Sequence, residues 1–204
     1  MKQMRLSSIN TADIVDGSGI GKQPRSGPVS VSAAGLQGDH VADQHHHGGP
    51  DQAIYAYSLD DYRWWEQQLA TTMPPGSFGD NLTIEGMPTD MNVGDRLLIG
   101  EVVLEATAPR IPCATLSKHM QDSGFALRFR RAERPGIYFR VLNEGSISAG
   151  DEVIFVADAE ASVSISDLVR AYYNLSPDRN ELLRLLEAPI ATRFRGKFTA
   201  KLDT

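Results

Sequence analysis

The sequence predicts a mainly β protein, with a closed or nearly closed β-barrel in residues 1–157 and a small three-helix subdomain in residues 158–204. The first observation is that about eight or more short runs of alternating apolar residues precede residue 157, separated by turns rich in glycine, aspartate and proline. The second is that the apolar period changes after Ala157, where three consecutive segments repeat with the spacing of a helix. The third is length, since 204 residues can bury one main core with a small appendage.

Composition and charge exclude several classes of protein. The net charge of -6 and the isoelectric point of about 5.3 give no electrostatic basis for binding duplex nucleic acid or an anionic membrane. The N-terminus lacks the apolar segment of a signal peptide, and no stretch approaches the ~20 apolar residues of a membrane span. A single cysteine forms no disulfide within the chain. We therefore expect a soluble cytoplasmic protein with no nucleic-acid or membrane partner.

The barrel strands are predicted where apolar residues alternate between turn signals. They are expected at residues 5–9, 28–33, 53–57, the end of 77–84, both arms of 93–104, 137–142 and 152–156. Gly100-Glu101 is the predicted turn of the hairpin 93–104. Between the predicted strands at 53–57 and at the end of 77–84, Ser58 opens a helix as its N-cap, with Asp61 in the glutamate position of a capping box. The glycine-rich stretch 16–21 lacks the GK[ST] of a phosphate loop and is predicted to be a plain turn.

The three C-terminal helices are predicted at residues 164–173, 177–186 and 190–202. Ser176 is the expected N-cap of the second helix, followed by Pro177 at its first position. The third helix places one apolar stripe at Ile190, Phe194, Phe198 and Leu202. Its polar face carries Arg193, Arg195, Lys197 and Lys201, which either contact an acidic partner or are solvated. The helical unit is expected to pack onto the barrel or onto a second subunit in a homodimer.

Cys113 is the leading candidate for a functional side chain, because it is the only cysteine and follows an arginine between two prolines. Pro109 and Pro112 stiffen the backbone after a predicted strand, and a helix-capable stretch follows, so the thiol is expected at the end of that strand. Arg110, three residues away, favours the thiolate, which is both the nucleophile and a soft metal ligand. The alternative is a small buried hydrophobic residue without a chemical role.

A second candidate region is the loop 35–50, which holds four of the five histidines. These are His40, His45, His46 and His47. Consecutive side chains of an extended segment point to opposite faces, so only His45 and His47 share a face with Asp43, and zinc needs a further ligand. A metal site and a polar loop both remain open.

Two further polar features allow a functional and a structural interpretation. Asn81 follows a tight turn and offers two donors and an acceptor for holding a heterocycle or an oxygen, or it caps its own backbone. The segment 125–134 carries four arginines among ten residues, which either form an anion clamp or a solvated face.

Several short segments resemble the signature of MOSC domains, the module named for the C-terminal part of molybdenum-cofactor sulfurases. The matches, in the family's order, are Gly35-Leu36-Gln37-Gly38-Asp39, His47-Gly48-Gly49, Phe78-Gly79-Asp80-Asn81-Leu82-Thr83, Val93-Gly94-Asp95, Pro109-Arg110-Ile111-Pro112-Cys113, and Gly136-Ile137-Tyr138-Phe139-Arg140-Val141 with Gly150-Asp151. The resemblance implies a MOSC-type (pyruvate-kinase-like) β-barrel with peripheral helices. The C-terminal helices resemble the three-helix tail of the MOSC subgroup associated with detoxifying N-hydroxylated bases.

The resemblance implies a molybdenum-cofactor site and roles for four residues. Cys113 would bind molybdenum and act in catalysis, Arg110 would orient the site or meet the cofactor's phosphate, and His47 and Asn81 would line the pocket, with His47 also catalytic. Three departures from the family pattern stand out. Gln52 and the segment 114–116 lack lysines that the family often has, and Asp80 replaces a glutamate.

Two functions then compete. In the first, the chain is an oxidoreductase that reduces N-hydroxylated compounds such as 6-hydroxylaminopurine with electrons from an external flavin or iron–sulfur protein. No flavin or nicotinamide is expected in this chain, since no cysteine cluster or flavin fingerprint is present. In the second, the chain carries the cofactor or a sulfur atom as a persulfide on Cys113, without reductase activity. A redox-sensing thiol without a metal is a third interpretation.

Overall fold

The computed structural model describes residues 3–13, 15, 18–41 and 48–203. Its strands are β1 (Met4–Thr11), β2 (Gln23–Pro24), β3 (Val29–Ser32), β4 (Gly35–Leu36), β5 (Ile54–Ser58), β6 (Leu82–Glu85), β7 (Arg96–Ile99), β8 (Val102–Pro109), β9 (Ile137–Asn143), β10 (Gly145–Ile147) and β11 (Glu152–Val156). Its helices are α1 (Leu59–Leu69), α2 (Ala114–His119), α3 (Phe125–Arg131), α4 (Ile165–Tyr173), α5 (Arg179–Glu187) and α6 (Thr192–Leu202), and Pro50–Gln52 forms a 3₁₀ turn.

Seven of these strands close into a barrel in the order β1, β6, β5, β9, β8, β7 and β11, because β11 pairs with β1 as well as with β7. Every pairing around the ring is antiparallel except β5 with β6, which the crossover helix α1 joins in parallel. Strands β10, β3 and β4 form a separate small sheet. The predicted mainly β fold with a closed barrel and C-terminal helices is confirmed.

Local sequence signals explain several of these elements. The hairpin β7–β8 turns at Gly100, whose φ of 58° suits glycine, as predicted. Ser58 caps α1 by accepting a hydrogen bond from the Asp60 amide, so the predicted N-cap is confirmed. The predicted capping-box role of Asp61 is wrong. Its carboxylate is buried, forms an ion pair with Arg134 and accepts a hydrogen bond from Thr89, because burial favours a cationic partner over the helix end.

The C-terminal helices form a small bundle against the barrel. The apolar stripe of α6 packs inward, with Phe194 and Phe198 fully buried, as predicted. The predicted N-cap Ser176 is wrong, because the Asp178 carboxylate accepts the amide hydrogens of Asn180 and Glu181 and thereby satisfies two free donors at the start of α5.

Contacts across the boundary tie this bundle to the barrel. The Asp51 carboxylate, in the 3₁₀ turn, accepts hydrogen bonds from the Thr192 amide at 2.8 Å and the Thr192 hydroxyl at 2.7 Å, and so caps α6 from outside the helix. Arg140 of β9 pairs with Asp51 at 3.1 Å and donates to the Pro189 carbonyl. The division at residue 157 stays a prediction.

The polar face of α6 is engaged within the bundle rather than simply solvated. Lys201 Nζ donates to the Ala171 carbonyl at 2.7 Å, and Lys197 Nζ lies 4.1 Å from the centroid of the Tyr172 ring. Arg195 donates to two carbonyls at the end of α5 and just beyond it. In the described part of the chain, no helix has the length and apolar character needed to cross a membrane.

Gly136→Ala is expected to lower the free energy of unfolding by about 2–4 kcal/mol, from a left-handed backbone and from overpacking. Gly136 has a φ of 64°, and a Cβ there would lie 2.6 Å from Tyr57 Cδ2 and 2.7 Å from Tyr55 Oη. Both tyrosine hydroxyls are tied to backbone carbonyls at 2.8 Å, so the rings are not free to swing away. The measurement is denaturant unfolding of both proteins.

The control for this prediction is Gly100→Ala. Gly100 has a similar φ of 58°, but a Cβ there would meet nothing within 4 Å. This variant isolates the backbone cost, which is about 1–2 kcal/mol. Equal losses in the two variants would show that the tyrosine rings yield easily at Gly136.

Candidate functional site

A cleft of about 680 Å³, measured out to its open mouth, lies where the Cys113 segment meets the 3₁₀ turn and the loop before β2. Its described lining residues are Ser18, Gly19, Ile20, Lys22, His40, Val41, Gln52, Ala53, Tyr55, Gly79, Asn81, Arg110, Cys113, Thr115 and Tyr138. Three of the predicted site residues, Cys113, Arg110 and Asn81, therefore meet in one cleft. We call it the thiol cleft.

Cys113 lies between β8 and α2, as its proline frame predicts. Its backbone is extended, with φ of −129° and ψ of 174°, and it is the N-cap residue of α2. Cys113 forms no disulfide bond and is half-buried. Arg110 is close enough for its charge to interact with Cys113. The placement of the thiol at a strand end is confirmed, while its role in metal binding or catalysis stays a prediction.

Arg110 is a buried cation in the wall of the cleft, with only 5 % of its surface exposed. Nη1 donates a hydrogen bond to the Phe78 carbonyl, and Cζ lies 5.2 Å from the centroid of the Tyr55 ring. Burial opposes the charge, but the surrounding tyrosines and Cys113 together raise the pKa of Arg110 above its usual value. Nε has no hydrogen-bond partner, and no carboxylate lies within ion-pair distance, among the described residues.

Asn81 joins three segments of the cleft wall. Its Oδ1 accepts the Tyr55 amide hydrogen at 3.1 Å, and its Nδ2 donates to Asp39 at 2.8 Å and to the Asn10 carbonyl at 3.4 Å. The side chain therefore bonds other segments rather than its own backbone. Asn81 fixes the position of Asp39, and its contact with a cofactor stays a prediction.

Lys22, which lines the cleft, forms a buried ion pair with Asp39, and the two side chains are each 6 % exposed. Lys22 Nζ hydrogen-bonds both carboxylate oxygens, and the Ala12 amide donates to Asp39 at 3.0 Å. Burial lowers the pKa of Lys22, although Asp39 opposes that shift. Lys22 is a residue of the cleft that the sequence did not predict. The only signal for it is a lysine directly after the glycine-rich stretch 16–21, which is predicted to be a plain turn.

The described histidines near the cleft are His40 and His119. His47, together with His45 and His46, lies outside the described residues, so its predicted role stays a prediction. His40 lines the cleft and lies 3.4 Å from the Asp13 carboxylate. Burial, then the charge of Arg110, lower the pKa of His119, which is not among the described lining residues of the cleft. Within the described ranges, no group of three or more histidine, cysteine or acidic side chains is arranged to hold a metal.

The side chain of Gln52 is buried in the wall of the thiol cleft, with 5 % exposure, and its Nε2 has no hydrogen-bond partner among the described residues. Buried N–H groups are normally paired, because an unpaired donor loses its hydration without compensation. Gln52 Nε2 and Arg110 Nε are two such donors in one cleft. Beside a thiol, this arrangement suits a ligand that brings hydrogen-bond acceptors and negative charge.

The arginines of α3 and the loop after it do not line this cleft. Arg128 pairs with Asp122, Arg130 lies 3.6 Å above the Tyr173 ring, and Arg134 pairs with Asp61. The interpretation of residues 125–134 as an anion clamp gains no support from this placement.

Comparison with known proteins divides the chain into two matched parts. The model of the MOSC domain family matches residues 43–154, and the model of the YiiM-like 3-alpha helix domain matches residues 163–204. YflK of Bacillus subtilis is 33% identical over 188 residues, which are 91% of this chain and 85% of YflK. A protein of Gibberella moniliformis named Reductase is 32% identical over 187 residues, 87% of this chain but only 32% of that protein. The crystal structure of YiiM from Geobacillus stearothermophilus superposes with a TM-score of 0.83 and 27% identity, covering 98% of this chain and 99% of YiiM.

Proposed function

This chain belongs to the MOSC domain family, and from this premise we propose that it is an oxidoreductase that binds the molybdenum cofactor and reduces N-hydroxylated compounds. Electrons come from a separate flavin or iron–sulfur protein. The observation that carries the proposal is the thiol cleft, where the only cysteine lies beside two buried donors without partners among the described residues. The relative named Reductase supports the reaction class, and the aligned region is about a third of that protein.

The residues of the thiol cleft fit the molybdenum cofactor, which is a pterin carrying a dithiolene and a phosphate. Arg110 supplies a fixed positive charge for its anionic part, and Arg110 Nε offers a hydrogen bond to one of its acceptors. Cys113 supplies a soft sulfur ligand of the kind that molybdenum accepts. When bound, the cofactor supplies two-electron redox chemistry.

The chain's own residues bind the cofactor and supply protons for the reaction. Reduction of an N-hydroxyl group to an amine takes two electrons and two protons and releases water. Lys22 Nζ holds a proton in the cleft, and the Asp39 carboxylate keeps that ammonium in place. Burial raises the pKa of Tyr55 and of Tyr138, so both hydroxyls stay neutral. Both residues are buried and line the cleft.

The test compares the natural chain with Cys113→Ser and Cys113→Ala, all expressed in a host that makes the cofactor. We expect molybdenum near one per chain and reductant-driven turnover of 6-hydroxylaminopurine in the natural chain. Both should fall about tenfold or more in each variant, since serine keeps the size but loses the soft sulfur. Thr199→Ala, on the exposed face of α6, is the control and should change neither quantity.

The outcomes separate the two candidate functions. If molybdenum binding depends on Cys113 but the chain turns over none of several N-hydroxylated substrates, the result would favour a carrier of the cofactor or of a persulfide. Absence of molybdenum from the natural chain, with cofactor available in the host, would overturn the proposal.

A further inference from the structure

We propose that Gln52 contacts the bound ligand directly, with Nε2 donating a hydrogen bond to an uncharged acceptor on a heterocycle, such as a ring nitrogen or a ring carbonyl oxygen. The inference rests on the proposed function in taking the thiol cleft as the ligand site. It adds a residue that determines which heterocycle is accepted.

The Gln52 side chain carries a buried donor that the described protein does not satisfy. Gln52 is almost fully buried, and Nε2 is without a hydrogen-bond partner in the described part of the structure. It lines the thiol cleft and also a neighbouring cleft that has apolar walls around Ala33, Leu36 and Pro50. A ligand in the thiol cleft is therefore within reach of a donor that the protein itself leaves unsatisfied.

Hydrogen bonds hold the backbone under Gln52 in place. The backbone amide of Gln52 donates to the Gly49 carbonyl at 2.9 Å, and Thr107 Oγ1 donates to the Asp51 carbonyl at 2.6 Å. The Asp51 side chain is tied to Thr192 of α6. The 3₁₀ turn is thus fixed to β8 on one side and to the helical bundle on the other, which fixes the point from which the Gln52 side chain extends.

Lys22 and Arg110 are the lysine and the arginine among the described lining residues of the thiol cleft. Lys22 is already paired with Asp39, so Arg110 is the cation of the cleft without a carboxylate partner among the described residues. The Gln52 side-chain amide adds a donor without adding charge. It therefore satisfies a neutral acceptor without supplying the counter-charge that a second anionic group would need. Both the pterin ring of the cofactor and an N-hydroxylated base offer such an acceptor.

The first test needs no turnover and uses ligand-free protein. Gln52→Leu removes the unsatisfied donor while keeping most of the volume, so its unfolding temperature should rise by about 2–4 °C. Gln67→Leu, at an exposed position on α1, is the matched control and should change the unfolding temperature much less. A fall for Gln52→Leu would show that the amide is satisfied within the protein and would overturn the inference.

The second test uses holoprotein and separates the two sources of the acceptor. If the pterin supplies it, Gln52→Leu should weaken cofactor binding by about three- to tenfold, the usual effect of one neutral hydrogen bond, and pterin and molybdenum should dissociate from the holoprotein faster by that factor. If the substrate supplies it, the dissociation rate should stay constant and the KM for 6-hydroxylaminopurine should rise by a similar factor. No change in either quantity would overturn the inference.

Gln52→Glu gives a signature that a purely structural role would not produce. An ionised carboxylate only accepts hydrogen bonds, whereas a protonated carboxyl group donates one. The loss should therefore be largest at neutral pH and should shrink as the pH falls. If the natural chain binds no cofactor and turns over no substrate, the proposed function fails, and the ligand-free unfolding temperatures still decide whether Gln52 carries an unsatisfied donor.

Discussion

Asp39→Asn is expected to lower the free energy of unfolding by about 3–5 kcal/mol at neutral pH, because it leaves the Lys22 ammonium buried without its counter-charge. In the natural chain, Asp39 accepts hydrogen bonds from Lys22, from Asn81 and from the Ala12 amide. An asparagine has one acceptor oxygen, and its NH₂ group would face one of these donors. Denaturant unfolding of the ligand-free proteins gives the measurement.

The pH dependence of this loss follows from Lys22. Burial already lowers the pKa of Lys22 below its ordinary 10.5, and removing Asp39 removes the interactions that oppose the shift. Between the folded-state pKa and 10.5 the unfolded chain binds more protons than the folded chain, so stability rises with pH. The difference between Asp39→Asn and the natural chain should therefore shrink as the pH rises above neutral.

The control for Asp39→Asn is the double variant that also carries Lys22→Met. It has no uncompensated ammonium, so its loss of stability should be smaller than the sum of the two single losses by about 1 kcal/mol or more, the coupling expected for a contacting pair. Lys22→Met alone should lose less than Asp39→Asn, because the carboxylate keeps its other two donors. Additive effects of the two substitutions would contradict a buried ion pair at this position.

Sequence patterns were sufficient for those parts of the fold that depend on neighbouring residues. The β7–β8 hairpin and the apolar stripe of α6 each depend on residues a few positions apart, and both were predicted correctly. The choice of Asp178 over Ser176 as a helix cap shows the limit, because two good capping residues lie two positions apart and only the packing of α5 decides between them. Closure of the barrel by β1 and β11 joins the ends of the domain, where no local signal specifies the partner.

The site shows the same division between local and distant information. The proline frame places Cys113 and Arg110 correctly, since both follow β8 directly in the chain. Lys22 pairs with Asp39, and Asn81 holds Asp39 from a third segment of the chain, so this chain of contacts leaves no spacing in the sequence. The absence of the family's lysine at Gln52 was visible in the sequence, but the unpartnered state of its amide required coordinates.

Arg110→Leu is expected to remove the binding of anions to the thiol cleft. A buried guanidinium with no carboxylate partner among the described residues has lost its hydration without an opposite charge, which is costly unless a ligand supplies that charge. Inorganic phosphate should therefore raise the unfolding temperature of the natural chain through ligand binding to the folded state. In Arg110→Leu the phosphate affinity should fall about thirtyfold or more, from the 2–5 kcal/mol that a buried charge pair loses with one partner.

The stability of ligand-free Arg110→Leu distinguishes this explanation from simple damage to the fold. The substitution removes a buried charge, which is favourable, and leaves the Phe78 carbonyl without its donor, which costs about 1 kcal/mol. These effects oppose each other, so the unfolding temperature without phosphate should change little while the phosphate-dependent shift disappears. Arg131→Leu, an exposed arginine on α3, is the matched control and should keep the full shift. A phosphate shift that survives in Arg110→Leu would place the anion elsewhere, and the cation in the cleft would then require another explanation.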